Sequence, residues 1–523
     1  MRRPVVRTVG AALFSLAVGP WLAAQTPRLG TIDFPASGAP AARAPFIRGV
    51  LLLHSFEYGD AAVAFREAQR IDSGFALAYW GEALTYTHPI WNEQDRNAAR
   101  AALLRLGPTR AVRRAKAPTP REKAYLDAVE VLYGEGPKAT RDTAYCDAMR
   151  RLVASFPTDR EAQVFYAASL LGLNQGVRDI PTYLRAAAIL EPVFRDNPNH
   201  PGAAHLLIHS YDDPFHAARG LPAARAYSKI APDAAHAQHM TTHIFLALGM
   251  WDDVVSQNEI AAGHDHASWS PNHYTEWLGY GYLEQGRYRE ALRHLDVMHQ
   301  NMEQGRRGRA VLAEMRAAYV VNTERWDSPC LAWSLDLATV RARDAAVDAF
   351  AIGLSALKRG ERPAAERGLA ELAAINGGRA APAPGAERDR VPDILEKELR
   401  GVLRQADGVP EAAVTLLREA AALEDAMPLE FGPPAAVKPA HELLGEILFE
   451  TGRPQDAQRE FTRSLQLAPK RALSLRGLGR AAAAAGDRTT AARAYGELRE
   501  IWHRADADVP GLAEAARFLA VGP

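Results

Sequence analysis

The feature that most constrains this chain is a pattern of small residues that repeats along it. A glycine is followed seven residues later by a second glycine and five residues after that by an alanine, at Gly279/Gly286/Ala291, Gly353/Gly360/Ala365, Gly401/Gly408/Ala413, Gly445/Gly452/Ala457 and Gly479/Gly486/Ala491. The last two copies are 34 residues apart, the length of one helix–turn–helix unit. Small residues let two helices cross closely, and the middle glycine suits the end of the first helix. The pattern predicts a stack of helix pairs.

Residue usage outside the triplets also favours helices. From Phe46 onward Ala, Leu, Glu and Arg dominate, and few stretches show the β-branched alternation typical of strands. A chain of 523 residues is too long for one compact core, so an open-ended array of repeats suits its length. We therefore predict an all-α fold, an α-solenoid of helix–turn–helix repeats.

Several stretches look like tetratricopeptide repeats. They are Leu444-Gly445 with Ala457 and Phe461, their counterparts Leu478-Gly479 with Ala491 and Tyr495, Tyr79-Trp80-Gly81-Glu82, and His239-Met240-Thr241-Thr242-His243. Over residues 46–517 the chain resembles the large bacterial group of exported tetratricopeptide repeat proteins. The resemblance implies a right-handed superhelix whose first helices line a concave ligand-binding surface. It implies no particular reaction, because many functions share this architecture.

Composition along the chain predicts its division. The predicted segments are a signal peptide at 1–24, an extended lead-in at 25–45, an N-terminal repeat array with most histidines at 46–300, degenerate helical repeats at 301–375, a flexible linker or loop at 376–392, and C-terminal tetratricopeptide repeats at 393–517. The linker is rich in Gly, Ala and Pro, which do not continue helices.

The N-terminus has the layout of a secretory signal. Basic residues precede an apolar run from Val9 to Leu22, and small residues follow, so we expect cleavage after Ala24. A retained membrane anchor is the alternative, although Gly19-Pro20 interrupts the run. We predict a periplasmic or secreted protein with no stable membrane insertion after cleavage. Its cysteines, Cys146 and Cys330, are compatible with one disulfide or with two buried thiols.

Charge argues against nucleic acid as a partner. Lys plus Arg and Asp plus Glu both total 62, and the two signs are mixed along the chain. A balanced chain of this kind has no general electrostatic attraction for phosphate backbones. The expected partner is a protein segment or a small-molecule ligand in the concave groove.

Ten of the sixteen histidines lie between His200 and His273. Two pairs, His205/His209 and His239/His243, have the i, i+4 spacing that places both rings on one helix face. The second pair follows the first by 34 residues, so the two pairs are predicted to occupy matching positions on neighbouring first helices. Rings from two such helices can converge within metal-ligand distance.

We therefore predict His205, His209, His239 and His243 as metal ligands. A nitrogen-rich site without sulfur suits Zn, Cu, Ni or Fe rather than Ca or Mg. Further groove residues are predicted to be His236, His273, Glu276, Trp277, His54 and His88. Four carboxylates can bind the metal directly or accept a hydrogen bond from a ligating histidine: Asp212, Asp213, Asp265 and Glu276.

Two functions remain open from the residues alone. The first is an exported scaffold that binds a protein segment or small ligand, with a histidine-coordinated metal ion in its groove. The second is a metal-dependent enzyme, a hydrolase or oxidoreductase, with a multi-histidine active site on the solenoid. No catalytic signature motif accompanies the histidines. Two interpretations involve no metal. The histidines either give the groove a polar lining or form a packing ladder, a row of packed side chains that repeat duplication has produced.

The signal peptide is directly testable. Protein recovered from the exported fraction of a bacterial host is expected to have the intact mass of a chain that begins at Gln25, because Ala24 ends the small-residue site. A membrane-bound product that still begins at Met1 would contradict this.

Overall fold

The structure is a computed structural model that describes residues 28–174, 177–264, 270–302, 306–380 and 388–520. It is almost wholly helical. The first half contains α1 (Pro40–His54), α2 (Tyr58–Ile71), α3 (Ala76–Leu84), α4 (Arg96–Leu106), α5 (Arg110–Ala115), α6 (Pro120–Leu132), α7 (Lys138–Ser155), α8 (Arg160–Leu171), α9 (Ile180–Asp196), α10 (Pro201–Ser210), α11 (Ala217–Ile230) and α12 (Ala235–Ala247).

The second half continues in the same way. It contains α13 (Trp251–His264), α14 (His273–Glu284), α15 (Tyr288–Gln300), α16 (Arg306–Thr323), α17 (Ala342–Lys358), α18 (Arg362–Gly378), α19 (Val391–Ala406), α20 (Pro410–Asp425), α21 (Ala440–Glu450), α22 (Pro454–Leu467), α23 (Ala472–Ala484), α24 (Arg488–Ile501) and α25 (Leu512–Ala520). Two two-residue strands, β1 (Thr87–His88) and β2 (Glu93–Gln94), form a small antiparallel hairpin that the sequence did not indicate.

Glycine and aromatic side chains fit together where the repeats cross. A Cβ atom at Gly477 would overlap the ring of Phe461, and one at Gly445 would lie 3.0 Å from the same ring. Gly479 makes the same close approach to Tyr495 one repeat later. The aromatic ring on each second helix therefore fills the space that the missing side chain leaves on the first helix, as the repeat pattern predicts.

The middle glycines end the first helices in the left-handed conformation. Their φ angles lie between 65° and 81° at Gly249, Gly286, Gly360, Gly408, Gly452 and Gly486. Glycine adopts this conformation without the steric penalty of a Cβ atom. From α6 to α25 every helix packs against its successor in the chain. The predicted all-α solenoid of tetratricopeptide-type helix pairs is confirmed.

The C-terminal repeats also pack against the middle of the chain. The fully buried guanidinium of Arg471 lies 3.2 Å from Glu284 on α14 and 2.8 Å from Glu442 on α21. The indole of Trp502 donates a 3.1 Å hydrogen bond to the carbonyl of Glu284. The two contacts with Glu284 join residues 187 and 218 positions apart in sequence. A central cavity of about 1370 Å³ is lined by other residues of these regions, among them Tyr280 on α14 and Val437 before α21.

Segment boundaries differ from the sequence-based ones at two places. Helix α1 begins at Pro40, inside the predicted lead-in, and the lead-in buries Leu29 and Phe34 against the repeats. The predicted linker at 376–392 overlaps the ends of α18 and α19, and its residues 381–387 lie outside the described residues, as does the signal segment 1–24. No helix in the described part of the chain is long and apolar enough to cross a membrane.

The Arg471 contact predicts a large stability effect. Arg471→Ala would leave the buried Glu284 without its ion-pair partner and Glu442 paired with Lys438 alone, so the free energy of unfolding is expected to fall by about 3–5 kcal/mol. Guanidinium unfolding followed by circular dichroism measures this change. Arg463→Ala is the matched control, because its pair with Asp425 is exposed and such pairs contribute less than about 1 kcal/mol. Equal losses in the two variants would contradict the assignment.

Candidate metal centre

Two neighbouring first helices, α10 and α12, carry the four predicted metal ligands and are buried on almost every face. All ten residues of α10 are buried, as are all residues of α12 from His236 onward. His200 caps α10 by accepting a 3.2 Å hydrogen bond from the amide of Ala203, and Pro201 occupies the first turn. Since neither helix has a solvent face, their polar side chains must find partners inside the protein.

Three histidines form an inner triad, defined as His205, His209 and His236. The first two lie on α10 and the third on α12, and one ring nitrogen from each lies within 4.8 Å of the others. The Nε2 atoms of all three are buried and have no hydrogen-bond partner among the described residues. Phe56 covers this triad, with its ring centroid 4.3 Å from that of His205.

A second set, the cavity-side triad, consists of His239, His243 and His273. The first two lie on α12 and the third is the first residue of α14. The three again place ring nitrogens within 4.8 Å of one another. The Nε2 atoms of His239 and His243 are only 3.2 Å apart. His273 also lines the central cavity, so this triad lies at the cavity wall.

The Nδ1 atoms of His239 and His243 lie beside oxygen atoms that can accept a hydrogen bond, which favours the tautomers with the proton on Nδ1. Nδ1 of His239 lies 2.8 Å from the Asn258 side-chain oxygen, and Nδ1 of His243 lies 2.5 Å from a carboxylate oxygen of Asp212. A neutral imidazole that donates from Nδ1 has a free lone pair at Nε2. In that tautomer of both rings the two Nε2 lone pairs face each other across 3.2 Å, an arrangement that either a bound metal cation or a shared proton satisfies.

Burial keeps most of these rings neutral. Desolvation lowers the pKa of His205 to about 3, although the hydrogen bond from its Nδ1 to the carbonyl of His54 opposes this shift. Burial first, and then neighbouring histidines, lower the pKa values of His209, His236 and His239 well below the ordinary value. A ring must be unprotonated to ligate a metal, so the environment prepares these rings as ligands at neutral pH.

Asp212 lies between the two triads. A carboxylate oxygen of Asp212 and nitrogens of His209 and His243 lie within 4.8 Å of one another. Its Oδ2 atom accepts from His243, whereas its buried Oδ1 atom has no hydrogen-bond donor among the described groups. Arg178 anchors the segment by donating to the Asp212 carbonyl at 2.5 Å.

The four predicted ligands are thus divided between the triads. His205 and His209 belong to the inner triad with His236, whereas His239 and His243 belong to the cavity-side triad with His273. The histidine nitrogens of both triads suit Zn, Cu, Ni or Fe, and Asp212 adds one carboxylate to the set of possible ligands. Asp213 pairs with Arg178 and His216 instead, and Asp265 lies outside the described residues.

His54 supports the site rather than lining it. Its Nε2 donates to Glu161 at 2.7 Å, and His200 contacts the other oxygen of that carboxylate at 2.9 Å. The two histidines lower the pKa of Glu161 to about 2 against the opposing effect of burial. His54, His200 and Glu161 therefore pair with one another. The backbone carbonyl of His54 in turn orients the ring of His205.

Of the remaining predicted groove residues, Glu276 and Trp277 line the cavity and His88 does not. His88 is half-buried, stacks on Tyr58 at 4.0 Å between ring centroids, and belongs to neither triad. Glu276 and Trp277 line the cavity beside His273. The Trp277 ring is otherwise buried and packs 4.4 Å from the ring of His243, centroid to centroid.

Glu276 has an unusual environment. Burial raises its pKa to about 7, with Arg341 opposing and Asp344 adding to the shift. The same two effects, burial and the nearby carboxylates Glu276 and Asp344, raise the pKa of Glu314 well above its ordinary value. The cavity wall beside His273 therefore carries two carboxyl groups with raised pKa values, and that of Glu276 lies at about 7.

Sequence reasoning missed several residues that shape the centre. Asn258 on α13 and Tyr274 on α14 contact the Nδ1 atoms of His239 and His236. Phe56 holds a φ of 55°, which a residue with a side chain seldom adopts. No repeat spacing marks these positions, because each belongs to a different element. The two cysteines are free and buried.

Comparison with known proteins gives only distant likenesses. No family model matches the chain, and no curated protein sequence is significantly similar to it. One similar solved structure is a human IFIT1 dimer with m7Gppp-AAAA, with 13% identity, a TM-score of 0.37 and coverage of 90% of this chain and 91% of that chain. Another is the APC/C hetero-tetramer Cut9–Hcn1, with 12% identity, a TM-score of 0.34 and coverage of 86% of this chain and 78% of that chain.

The tetratricopeptide repeat domain of P58(IPK) is a third likeness, with 12% identity, a TM-score of 0.23 and coverage of 92% of this chain and 99% of that chain. All three TM-scores are below 0.5. The assignment of the fold therefore rests on the helix pairs and their glycine–aromatic packing, and the functions of these proteins are not carried over.

The low pKa of His205 predicts acid sensitivity of the metal-free protein. Because the folded-state pKa lies below the unfolded value, the unfolded state binds the proton first, and stability falls as pH drops from about 6.5 toward about 3. The slope of the unfolding free energy against pH is expected to be smaller in His205→Gln by about 1.4 kcal/mol per pH unit within this window. Urea unfolding at several pH values in a chelator measures it.

The exposed His503 provides the control for this experiment. His503→Gln is expected to keep the wild-type slope, because this residue lies outside the triads and is largely solvated. An unchanged slope in His205→Gln would contradict the assignment of a neutral buried ring.

Proposed function

We propose that this protein is an exported tetratricopeptide-type scaffold that holds a transition metal ion in its cavity-side triad. The ion would face the central cavity and contribute to the binding of a protein segment or a small ligand there. The scaffold part of this proposal rests on the solenoid of helix pairs, and the export part rests on the N-terminal signal pattern alone.

One observation carries the metal assignment. His239 and His243 direct their Nε2 atoms at each other across 3.2 Å, while oxygen acceptors hold the Nδ1 atoms of both rings. Fixing a ligand histidine through its other nitrogen is the usual arrangement around metal ions. A metal cation between the two Nε2 atoms accounts for this orientation, and without a cation the two atoms must share a proton.

The cavity supports a ligand-binding role. Its volume of about 1370 Å³ exceeds the roughly 300–1000 Å³ typical of small-molecule sites, so it has room for a peptide segment. Its wall combines apolar residues such as Phe431 and Val347 with the charged side chains of Arg341 and Glu430. A ligand with both apolar and charged groups fits this lining, and His273 places the metal triad within reach of it.

The enzyme alternative has one observation in its favour. His273 and Glu276 lie one helical turn apart on α14 and line the same cavity, so a carboxyl group stands near the metal triad. Co(II)-substituted protein distinguishes the two functions. An exchangeable water on the ion, seen by electronic and EPR spectroscopy, would favour catalysis, whereas a site closed by protein ligands would favour the scaffold.

Metal content tests the proposal. Wild-type protein purified from its export compartment is expected to contain stoichiometric Zn, Cu, Ni or Fe by inductively coupled plasma mass spectrometry. His239→Ala/His243→Ala removes two adjacent ligands and is expected to weaken metal binding at the cavity-side triad at least 100-fold, since no other nitrogen pair lies across this gap.

The matched control removes two buried histidines outside the triads. His294→Ala/His441→Ala is expected to retain the wild-type metal content, because His294 bonds to the Thr275 carbonyl and His441 pairs with acidic side chains. Wild-type protein without stoichiometric metal, or a control that loses as much metal as the test variant, would refute the proposal.

A further inference from the structure

We infer that the inner triad is a second metal site, so that the protein holds two transition metal ions in adjacent positions. This inference extends the proposed function, on which it rests, by assigning a ligand set and a stoichiometry. The inner ligands are His205, His209 and His236, and the expected ion belongs to the same nitrogen-preferring class.

The first support is the state of the three inner Nε2 atoms. Each is buried and has no hydrogen-bond partner among the residues that the structure describes. Leaving a buried polar atom unpaired is unfavourable, and three such atoms belong to one cluster on two helices. One ring nitrogen of each histidine lies within 4.8 Å of the others, so a single cation can contact all three rings.

The second support is the way in which the rings are oriented. The Nδ1 atom of His205 lies 2.6 Å from the carbonyl of His54, and that of His236 lies 3.1 Å from the Tyr274 hydroxyl. The carboxylate of Glu161 in turn fixes His54. The rings of His205 and His236 thus resemble those of His239 and His243, in which Nδ1 contacts an oxygen atom and Nε2 faces the cluster.

The third support is Asp212, which lies between the triads. One of its oxygens accepts from His243 of the cavity-side triad, and the other is buried without a donor among the described groups. His209 of the inner triad lies within ligand distance of the same carboxylate. A negative charge placed between two cation sites offsets their mutual repulsion, so Asp212 suits a pair of ions better than a single one.

The two sites differ in access to solvent. Phe56 and Tyr227 pack on His205, with ring centroids at 4.3 and 5.3 Å, whereas His273 of the other triad lines the cavity. Closed sites of this kind hold structural metal ions, and sites with an open position serve ligand binding. The inner ion would therefore link α10 to α12, while the cavity-side ion would contact a molecule bound in the cavity.

Native mass spectrometry of metal-free full-length protein titrated with Zn(II) tests the inference. We expect two ions per chain in the wild type, one in His236→Gln, one in His273→Gln and none in the double variant. His294→Gln, a buried histidine outside both triads, is the control and should bind two. Circular dichroism identifies any variant that fails to fold.

A second measurement needs no variant. Two Cu(II) ions bound in adjacent triads broaden each other's EPR signal through dipolar coupling, whereas one ion gives an isolated spectrum at saturation. Two bound ions with coupled spectra would support the inference.

A single ion that His273→Gln abolishes and His236→Gln retains would overturn the inference and leave the proposed function standing. A single ion lost only in His236→Gln would overturn both the two-ion stoichiometry and the cavity-side assignment. Absence of any ion in the wild type would refute both proposals together.

Discussion

The centre of this protein depends on how the Nδ1 atoms of its buried histidines are anchored. A carbonyl, an amide oxygen and a carboxylate hold three of these atoms, so the rings cannot turn to satisfy their other nitrogens elsewhere. Desolvation lowers the pKa values of His205 and His239, since a charged imidazole there would lose its hydration without an adjacent anion to replace it. Orientation and protonation state are therefore set by the protein before any ion arrives.

Such a cluster has an energetic cost that the rest of the fold must offset. Helices α10 and α12 bury polar side chains where an ordinary repeat would bury aliphatic ones. Glycine–aromatic packing along the array and the buried contacts of Arg471 with Glu284 and Glu442 supply stability elsewhere. Buried polar groups that weaken a core are characteristic of functional sites, which natural proteins retain at some expense in stability.

Much of the architecture could be predicted because repeats are a local property. The spacing of glycine, alanine and aromatic residues predicted the helix pairs, and the 34-residue offset between His205/His209 and His239/His243 predicted their matching positions on two helices. The grouping into triads could not be predicted in the same way. Spacing places His236 and His239 on one helix, but the twist between neighbouring helices decides that one faces α10 and the other faces α14. Partners such as Asn258 and Phe431 come from other elements and follow no period.

The contact between the C-terminal repeats and α14 changes how the solenoid would unfold. In an open array each repeat touches only its neighbours, so the ends fray independently and unfolding spreads stepwise. Here Trp502 bonds to the carbonyl of Glu284, which joins the last repeats to the middle of the array. Loss of the terminal repeats thus exposes Glu284 at the end of α14, the helix that begins with His273 of the cavity-side triad. The contact therefore couples unfolding of the last helices to unfolding of a helix that contributes to the histidine centre.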